Sequence, residues 1–373
     1  MKKHIVFITE HLSFGGAEVV LATYIRTIDL NRYKVSLILR DDLGMENYLL
    51  KEIPPEVSVR YIFSQGSKPN SVREMRSQLV KRMKVLLKEI GSYDLLIDFS
   101  PVLDKVIPQL RDEKIVLWMH GDKSHMGFCE RWKYFWRIRH YKKIVLLCPE
   151  MVQQFNTLFP MLRDHFVLIP NLFDFQRIHE KADDESSLSS EEQESLRKDY
   201  IISVARLVPG KDVRSLIEAA KINKERGVRY LHYIIGDGDM YFELRKLIED
   251  YQLGDMVVLL GAKKNPYPWI KKAQFFVHSA IREGFGLVIV EAMSLGKAVV
   301  ATKCPVGPSD ILEHGKYGLM YELKDAQKLA DHIRQYISDM NSRAEYALLA
   351  KKRAQEYSRE RVIPLVNNLF DSF

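Results

Sequence analysis

The chain has 373 residues, 46% hydrophobic and 28% charged, which suits about two globular domains of ~100–200 residues, each with its own core. No run of 18 apolar residues occurs, so a membrane-spanning helix is excluded. The net charge of +7 is uneven: residues 1–178 carry 27 Lys and Arg against 20 Asp and Glu, and the remainder carries 29 of each. A basic first half points to an acidic partner such as anionic lipid, nucleic acid or a phosphorylated substrate. Three cysteines, Cys129, Cys148 and Cys304, show no metal-ligand spacing and cannot all pair, which fits a reducing cytoplasm. The N-terminal apolar run stops at Thr9-Glu10-His11, too early for a secretion signal.

Along the chain, short apolar runs alternate with helix-length segments. Residues 4–9, 34–39, 95–99, 115–119, 144–147 and 166–169 read as strands in the first half, and 200–204, 231–235, 257–260, 275–278 and 298–301 in the second. Between them, 18–28, 72–90, 213–226 and 242–251 read as helices. This alternation predicts α/β architecture with parallel sheets covered on both faces. The boundary is expected within 171–199, where the polar, acidic stretch 180–197 reads as a solvated linker or surface helix. Residues 348–373 read as helical and cross back onto the first half. The expected domains are therefore 1–175 with 355–373, and 176–354.

The segment 275–302 holds the densest chemistry. A strand ends near His278, the loop Glu283-Gly284-Phe285-Gly286 follows, and a helix begins near Leu287. Its opening amides, from about Phe285 to Val288, lack helical partners and form an anion site backed by the helix dipole. Glu283 in the loop and Glu291 one turn into the helix suit sugar and ribose hydroxyls, which donate hydrogen bonds to carboxylates. After the strand 200–204, Arg206 and Lys211 lie five residues apart around a Pro-Gly turn. An arginine forks onto two phosphate oxygens, and a lysine adds a point charge. Gly15 and Gly16 precede a helix after the first strand, where glycines let the backbone approach a bound group. His120 stands at the C-terminal end of a strand, where ligands of open α/β sheets bind. Gly236-Asp237-Gly238-Asp239 contains an Asp-x-Asp pair that reads as a turn near the nucleotide. Gly261 and Lys264 follow the strand 257–260 as further nucleotide-side candidates.

Taken together, Glu283, the Gly-Phe-Gly of residues 284–286, Leu287 and Glu291, followed by Cys304-Pro305-Val306-Gly307-Pro308 and Gly315-Lys316-Tyr317-Gly318-Leu319, resemble the paired-glutamate motif of the retaining glycosyltransferases of family 4, the glycosyl transferases group 1. The resemblance covers most of the chain and is strongest over 200–325. It implies a GT-B fold: α/β, with two Rossmann-like domains and parallel sheets facing each other across a donor-binding cleft. It also implies a nucleotide-sugar donor, UDP- or GDP-linked, and a glycan or lipid-linked acceptor of bacterial surface polysaccharide. No cofactor and no metal are expected. On this resemblance Arg206 and Lys211 hold the donor diphosphate in place of a metal ion. The Gly15–Gly16 loop faces the pyrophosphate, His120 approaches the donor sugar, Glu283 grips the sugar and Glu291 the ribose.

Two basic amphipathic segments, 72–90 and 130–145, carry interfacial aromatics or basic runs, so an anionic membrane surface is an expected partner of a cytoplasmic, peripherally docked protein. A nucleotide-sugar epimerase and a basic nucleic-acid binder are the alternatives. The paired glutamates favour transfer, and no basic–aromatic RNA-binding signature or zinc spacing is present, so nucleic acid is not expected as a partner.

Overall fold

The computed structural model describes residues 2–13, 15–67, 69, 71–110, 112, 114–123 and 125–373. It divides into two compact units, Met1–Phe173 with Arg359–Phe373, and Asp174–Ser358.

The first unit is a seven-stranded parallel sheet: β1 Lys3–Thr9, β2 Tyr33–Asp41, β3 Ser58–Phe63, β4 Leu95–Asp98, β5 Ile115–Trp118, β6 Lys143–Leu146 and β7 Phe166–Leu168, in the order β3-β2-β1-β4-β5-β6-β7. β1 explains why the sheet is central: Ile5, Val6, Phe7 and Ile8 are all buried, as a strand covered on both faces requires. Each such burial stabilises by about 1.5–3 kcal/mol. The chain's last helix, Arg359–Asp371, packs on this sheet. Phe370 meets Phe7 and Tyr33 edge-on, and the Asp371 carboxylate accepts from Arg32 and the Tyr33 hydroxyl.

The second unit is a six-stranded parallel sheet: β8 Tyr200–Val204, β9 Leu231–Ile235, β10 Val257–Leu259, β11 Phe276–His278, β12 Val299–Thr302 and β13 Leu319–Tyr321, ordered β10-β9-β8-β11-β12-β13. That is the Rossmann order. Its direction of winding reverses between β8 and β11, and ligands bind outside the carboxyl ends of strands at such a switch point. The first sheet reverses likewise between β1 and β4.

The acidic stretch, read as a solvated linker or surface helix, takes the second form. It forms the helices Phe175–Asp183 and Ser190–Leu196, the latter started by a capping box in which Ser189 and Glu192 exchange hydrogen bonds. Glu192 also pairs with Lys263, and the Asn265 amide donates to the Lys181 carbonyl. The high charge that signals solvation here serves caps and ion pairs on the second unit. The terminal segment, read as helical, holds the end of one helix, Met340–Ala354, and a second, Arg359–Asp371, separated by a tight turn over Gln355–Tyr357.

Candidate functional site

In the second unit the loops after β8 and β11 flank the switch point. The β8 loop is fixed by backbone bonds from Ala205 to Ile235 (3.0 Å) and from Leu207 to Asp237 (2.8 Å), with the Leu207 side chain fully buried. Gly236 and Gly238 make that contact possible. Both have φ near +150°, and a Cβ on Gly236 would stand 1.8 Å from the Ala205 carbonyl oxygen. The loop therefore holds Arg206 outward, exposed, with its guanidinium free of ion pairs and hydrogen bonds among the described residues. The Asp237–Asp239 pair is part of this turn. Asp237 accepts from the Gly238 amide at 2.8 Å, and among the described residues no group of three His, Cys, Asp or Glu is placed to hold a metal. Gly261 lies beside the same turn, its carbonyl accepting from Gly236, whereas Lys264 is exposed and makes no side-chain hydrogen bond or ion pair among the described residues.

The chain then turns through Pro209–Lys211, and the Lys211 ammonium donates to Glu283 Oε1. Four bonds among the described residues tie the two loops together: that ion pair, the Ser279 hydroxyl donating to the Lys211 carbonyl (2.8 Å), and the Ile281 and Arg282 N–H groups donating to the Gly210 carbonyl (2.9 and 3.4 Å). His278, buried at the end of β11, adds a second cation-capable group: its Nε2 lies 3.0 Å from the same Glu283 oxygen. Burial alone would push the Glu283 carboxyl up. His278 and Lys211 outweigh it and hold it at about 2, so the group is ionised at neutral pH.

Gly286, at φ +97°, caps the helix Leu287–Ser294. Phe285 is buried edge-on against Tyr357, so its backbone, not its ring, is presented at the loop. Gly307 is needed because a Cβ there would lie 2.0 Å from the Phe285 carbonyl oxygen. Gly284 sits in the same loop, and Leu287 opens the helix. One turn on, Glu291 accepts from the Tyr267 hydroxyl at 3.1 Å, and burial pushes its carboxyl up to about 7 despite that bond and the nearby Lys181. Because a folded value above the ordinary 4.5 means that burial favours the protonated form, Glu291 becomes a charged acceptor only as pH rises through about 7. Donor KM is expected to fall between pH 6 and pH 8, and Glu291→Gln to flatten that profile. An unchanged profile in the variant would separate Glu291 from donor binding.

In the first unit Gly15 is extended and caps the helix Gly16–Thr27, with neither glycine at positive φ. A Cβ on Gly15 would instead displace the Glu18 carboxylate, 2.0 Å away. Phe14, within this loop, lies outside the described residues. His120 follows β5, its ring 4.5 Å from that of Phe99. Burial pushes it down to about 3 against a hydrogen bond with the Phe99 backbone, and its shielded Nε2 has no hydrogen-bond partner among the described residues.

The structure thus brings Lys211 and Glu283 together and adds His278, Ser279 and Tyr267, which the sequence reading did not single out. His278 was visible as a strand-end histidine five residues before Glu283. Tyr267 had no signal, because it meets Glu291 only through tertiary packing.

Residues 184–353 match the family model of glycosyl transferases group 1. The N-acetylgalactosamine-N,N'-diacetylbacillosaminyl-diphospho-undecaprenol 4-alpha-N-acetylgalactosaminyltransferase of Campylobacter jejuni is 24% identical over 97% of this chain and 97% of its own. The poly(ribitol-phosphate) alpha-N-acetylglucosaminyltransferase of Staphylococcus aureus is 32% identical over 45% of this chain and 34% of its own. The crystal structure of Anabaena HepE in complex with UDP-glucose superposes with a TM-score of 0.78 at 23% identity, covering 99% of this chain and 100% of that one. At that identity the likeness shows the fold, GT-B with its two Rossmann-like domains.

Proposed function

The chain belongs, through residues 184–353, to the glycosyl transferases group 1, and from that premise we propose that it is a retaining hexosyltransferase moving a sugar from a UDP-sugar, or a GDP-sugar, to a glycan or lipid-linked acceptor in bacterial surface polysaccharide synthesis. One observation carries the reading: a free guanidinium, Arg206, and the Lys211–Glu283–His278 cluster stand on the two loops that flank the switch point of one Rossmann sheet.

Breaking the sugar–phosphate bond builds negative charge on the departing nucleoside diphosphate. Arg206, Lys211 and the amides that open the helix Leu287–Ser294 are preorganised donors for that charge, where stabilisation lowers the barrier most. They take the part a divalent ion would otherwise play, so the reaction proceeds without one. Glu283, fixed by its two partners, accepts hydrogen bonds from the sugar hydroxyls, and Glu291 from the ribose. The acceptor hydroxyl attacks the anomeric carbon on the face the phosphate leaves, its proton passing to the departing phosphate oxygen. In the first unit, His120 at the end of β5 and the backbone at Gly15 and Gly16 are the candidates for contact with a bound group. Gly236 and Gly261 shape the nucleotide side, with Lys264 beside them.

The relatives support the substrate classes. HepE holds UDP-glucose. The names of the two enzymes carry an alpha linkage, which a retaining transfer from an alpha-linked nucleotide sugar leaves, and a phosphate-bearing acceptor, which suits a basic first half. The test is a melting-temperature panel with UDP-, GDP- and ADP-sugars. A ligand that binds the folded state at 100 times its Kd stabilises by ~2.7 kcal/mol, a shift of several degrees. A UDP- or GDP-sugar is expected to give it, and NMR of the product to show retained anomeric configuration. No shift with any of the three classes, or inversion, overturns the reading.

A further inference from the structure

The helix Phe128–Ile138 has two apolar faces. One buries Tyr134 and Ile138 in the first unit. The other carries Phe128, Trp132 and Trp136, four residues apart and so on one stripe, exposed by 70%, 50% and 51%. A surface helix keeps its outer face polar unless that face meets something apolar. The stripe is not a scatter of single side chains. The Trp132 and Trp136 rings stack at 6.2 Å, and Phe135 meets both edge-on. At the end of the helix Pro149–Leu158 the chain turns back, and Met161, 81% exposed, joins them. Phe128, Trp132, Phe135, Leu158, Phe159 and Met161 line an open cavity of about 280 Å³, and Arg131 stands at its edge.

Charge identifies the partner. From 128 to 143 the chain has six basic residues and one acidic residue, Glu130. Arg137 is paired with Asp104, and Lys143 donates to the Asp164 carbonyl. Lys133, Arg139 and Lys142 remain exposed, and the Arg139 guanidinium lies 4.6 Å over the Trp136 ring, at the border between aromatic and basic surface. The other basic helix, Val72–Ile90, has Val72 and Val85 exposed but no aromatic residue. Among the described residues no helix is long and apolar enough to cross a membrane.

We propose that the Phe128–Trp132–Trp136 face, with Met161 and the cavity beside it, docks on a bilayer with anionic headgroups, the cavity taking a hydrocarbon chain and the exposed lysines and arginine the headgroup charge. The purpose of this surface rests on the proposed lipid-linked acceptor, whereas its geometry does not.

The chain's tryptophans make it testable. Of four, Trp118 and Trp269 are fully buried, leaving Trp132 and Trp136 as reporters. The full-length protein is mixed at low salt with vesicles of phosphatidylcholine alone, or with phosphatidylglycerol added, with and without brominated acyl chains. It should co-float with the anionic vesicles, bind the neutral ones at least tenfold more weakly, and lose tryptophan emission to bromine. The double variant Trp132→Ser/Trp136→Ser should bind at least tenfold more weakly with its melting temperature kept, and Lys133→Glu/Arg139→Glu should weaken binding while leaving both reporters in place. No binding to anionic vesicles, or binding without quenching, overturns the proposal. So does a concentration-dependent dimer abolished by the tryptophan variant, which would make this face a contact between copies of the chain. The donor-induced melting shift is read on the same samples: vesicle binding lost with the shift kept refutes docking alone, and the reverse refutes the transferase reading alone.

Discussion

Glu283→Gln is expected to lower kcat/KM for the nucleotide sugar by ~10²-fold or more, with stability changed far less than in Glu283→Ala. Glu283 Oε1 accepts from both Lys211 and His278, on a side chain only 13% exposed. Removing the carboxylate altogether strands a half-buried ammonium and a buried imidazole. Breaking a buried pair from one side costs ~3–5 kcal/mol, so the alanine variant mixes lost chemistry with lost fold. Glutamine keeps the shape and one accepting oxygen and removes the charge that holds Lys211 in place and accepts from the sugar hydroxyls, so its kinetic loss reports the site. The pH dependence follows the same charge. Because the folded carboxyl titrates at about 2 rather than 4.5, its contribution to stability is complete above the unfolded value and disappears as pH falls from about 4.5 to about 2. Urea midpoints at pH 3 and pH 7 should therefore converge between wild type and Glu283→Gln at the lower pH. Turnover of the glutamine variant within threefold of wild type would remove Glu283 from the reacting site.

The parts of this molecule legible in its sequence were those set by local periodicity. Strands buried along all or nearly all of their length, such as 4–9 and 200–204, and helices with a regular apolar face, such as 213–226, stand within a residue or two of the elements observed. Two strands escaped. β3 is an edge strand whose buried residues, Ile62 and Phe63, are only its last two, and β13 is a short edge strand in which only Tyr321 is buried. Neither offers enough period to distinguish a strand from a loop. The same division holds at the site. Glu283 and Glu291 announced themselves by spacing around glycines, and Arg206 and Lys211 by following a strand. The coupling of Lys211 to Glu283, with His278 behind it, joins residues 72 positions apart and is a product of β8 lying next to β11. Gly236, read as a nucleotide-side residue, has a backbone reason as well: no other residue lets the Ala205 carbonyl approach so closely.

That close approach bears on the second large effect, Arg206→Ala. The loop carrying Arg206 is held from below by Ile235, Asp237 and the buried Leu207 side chain, while the guanidinium itself is exposed and unpaired among the described residues. Truncating it should leave the urea midpoint within ~0.5 kcal/mol of wild type, as at other exposed positions without partners. Its worth appears when a diphosphate departs. Losing one preorganised donor to developing charge costs ~10²–10³ in kcat, and Lys211, already engaged by Glu283, has less charge to spare. Arg206→Lys should recover part of that loss but not all, because an ammonium replaces a fork that meets two phosphate oxygens at once. The loss should fall on kcat more than on KM, since the charge grows only in the transition state. Full turnover in the alanine variant, or a loss that follows its unfolded fraction, would move the leaving group away from this loop.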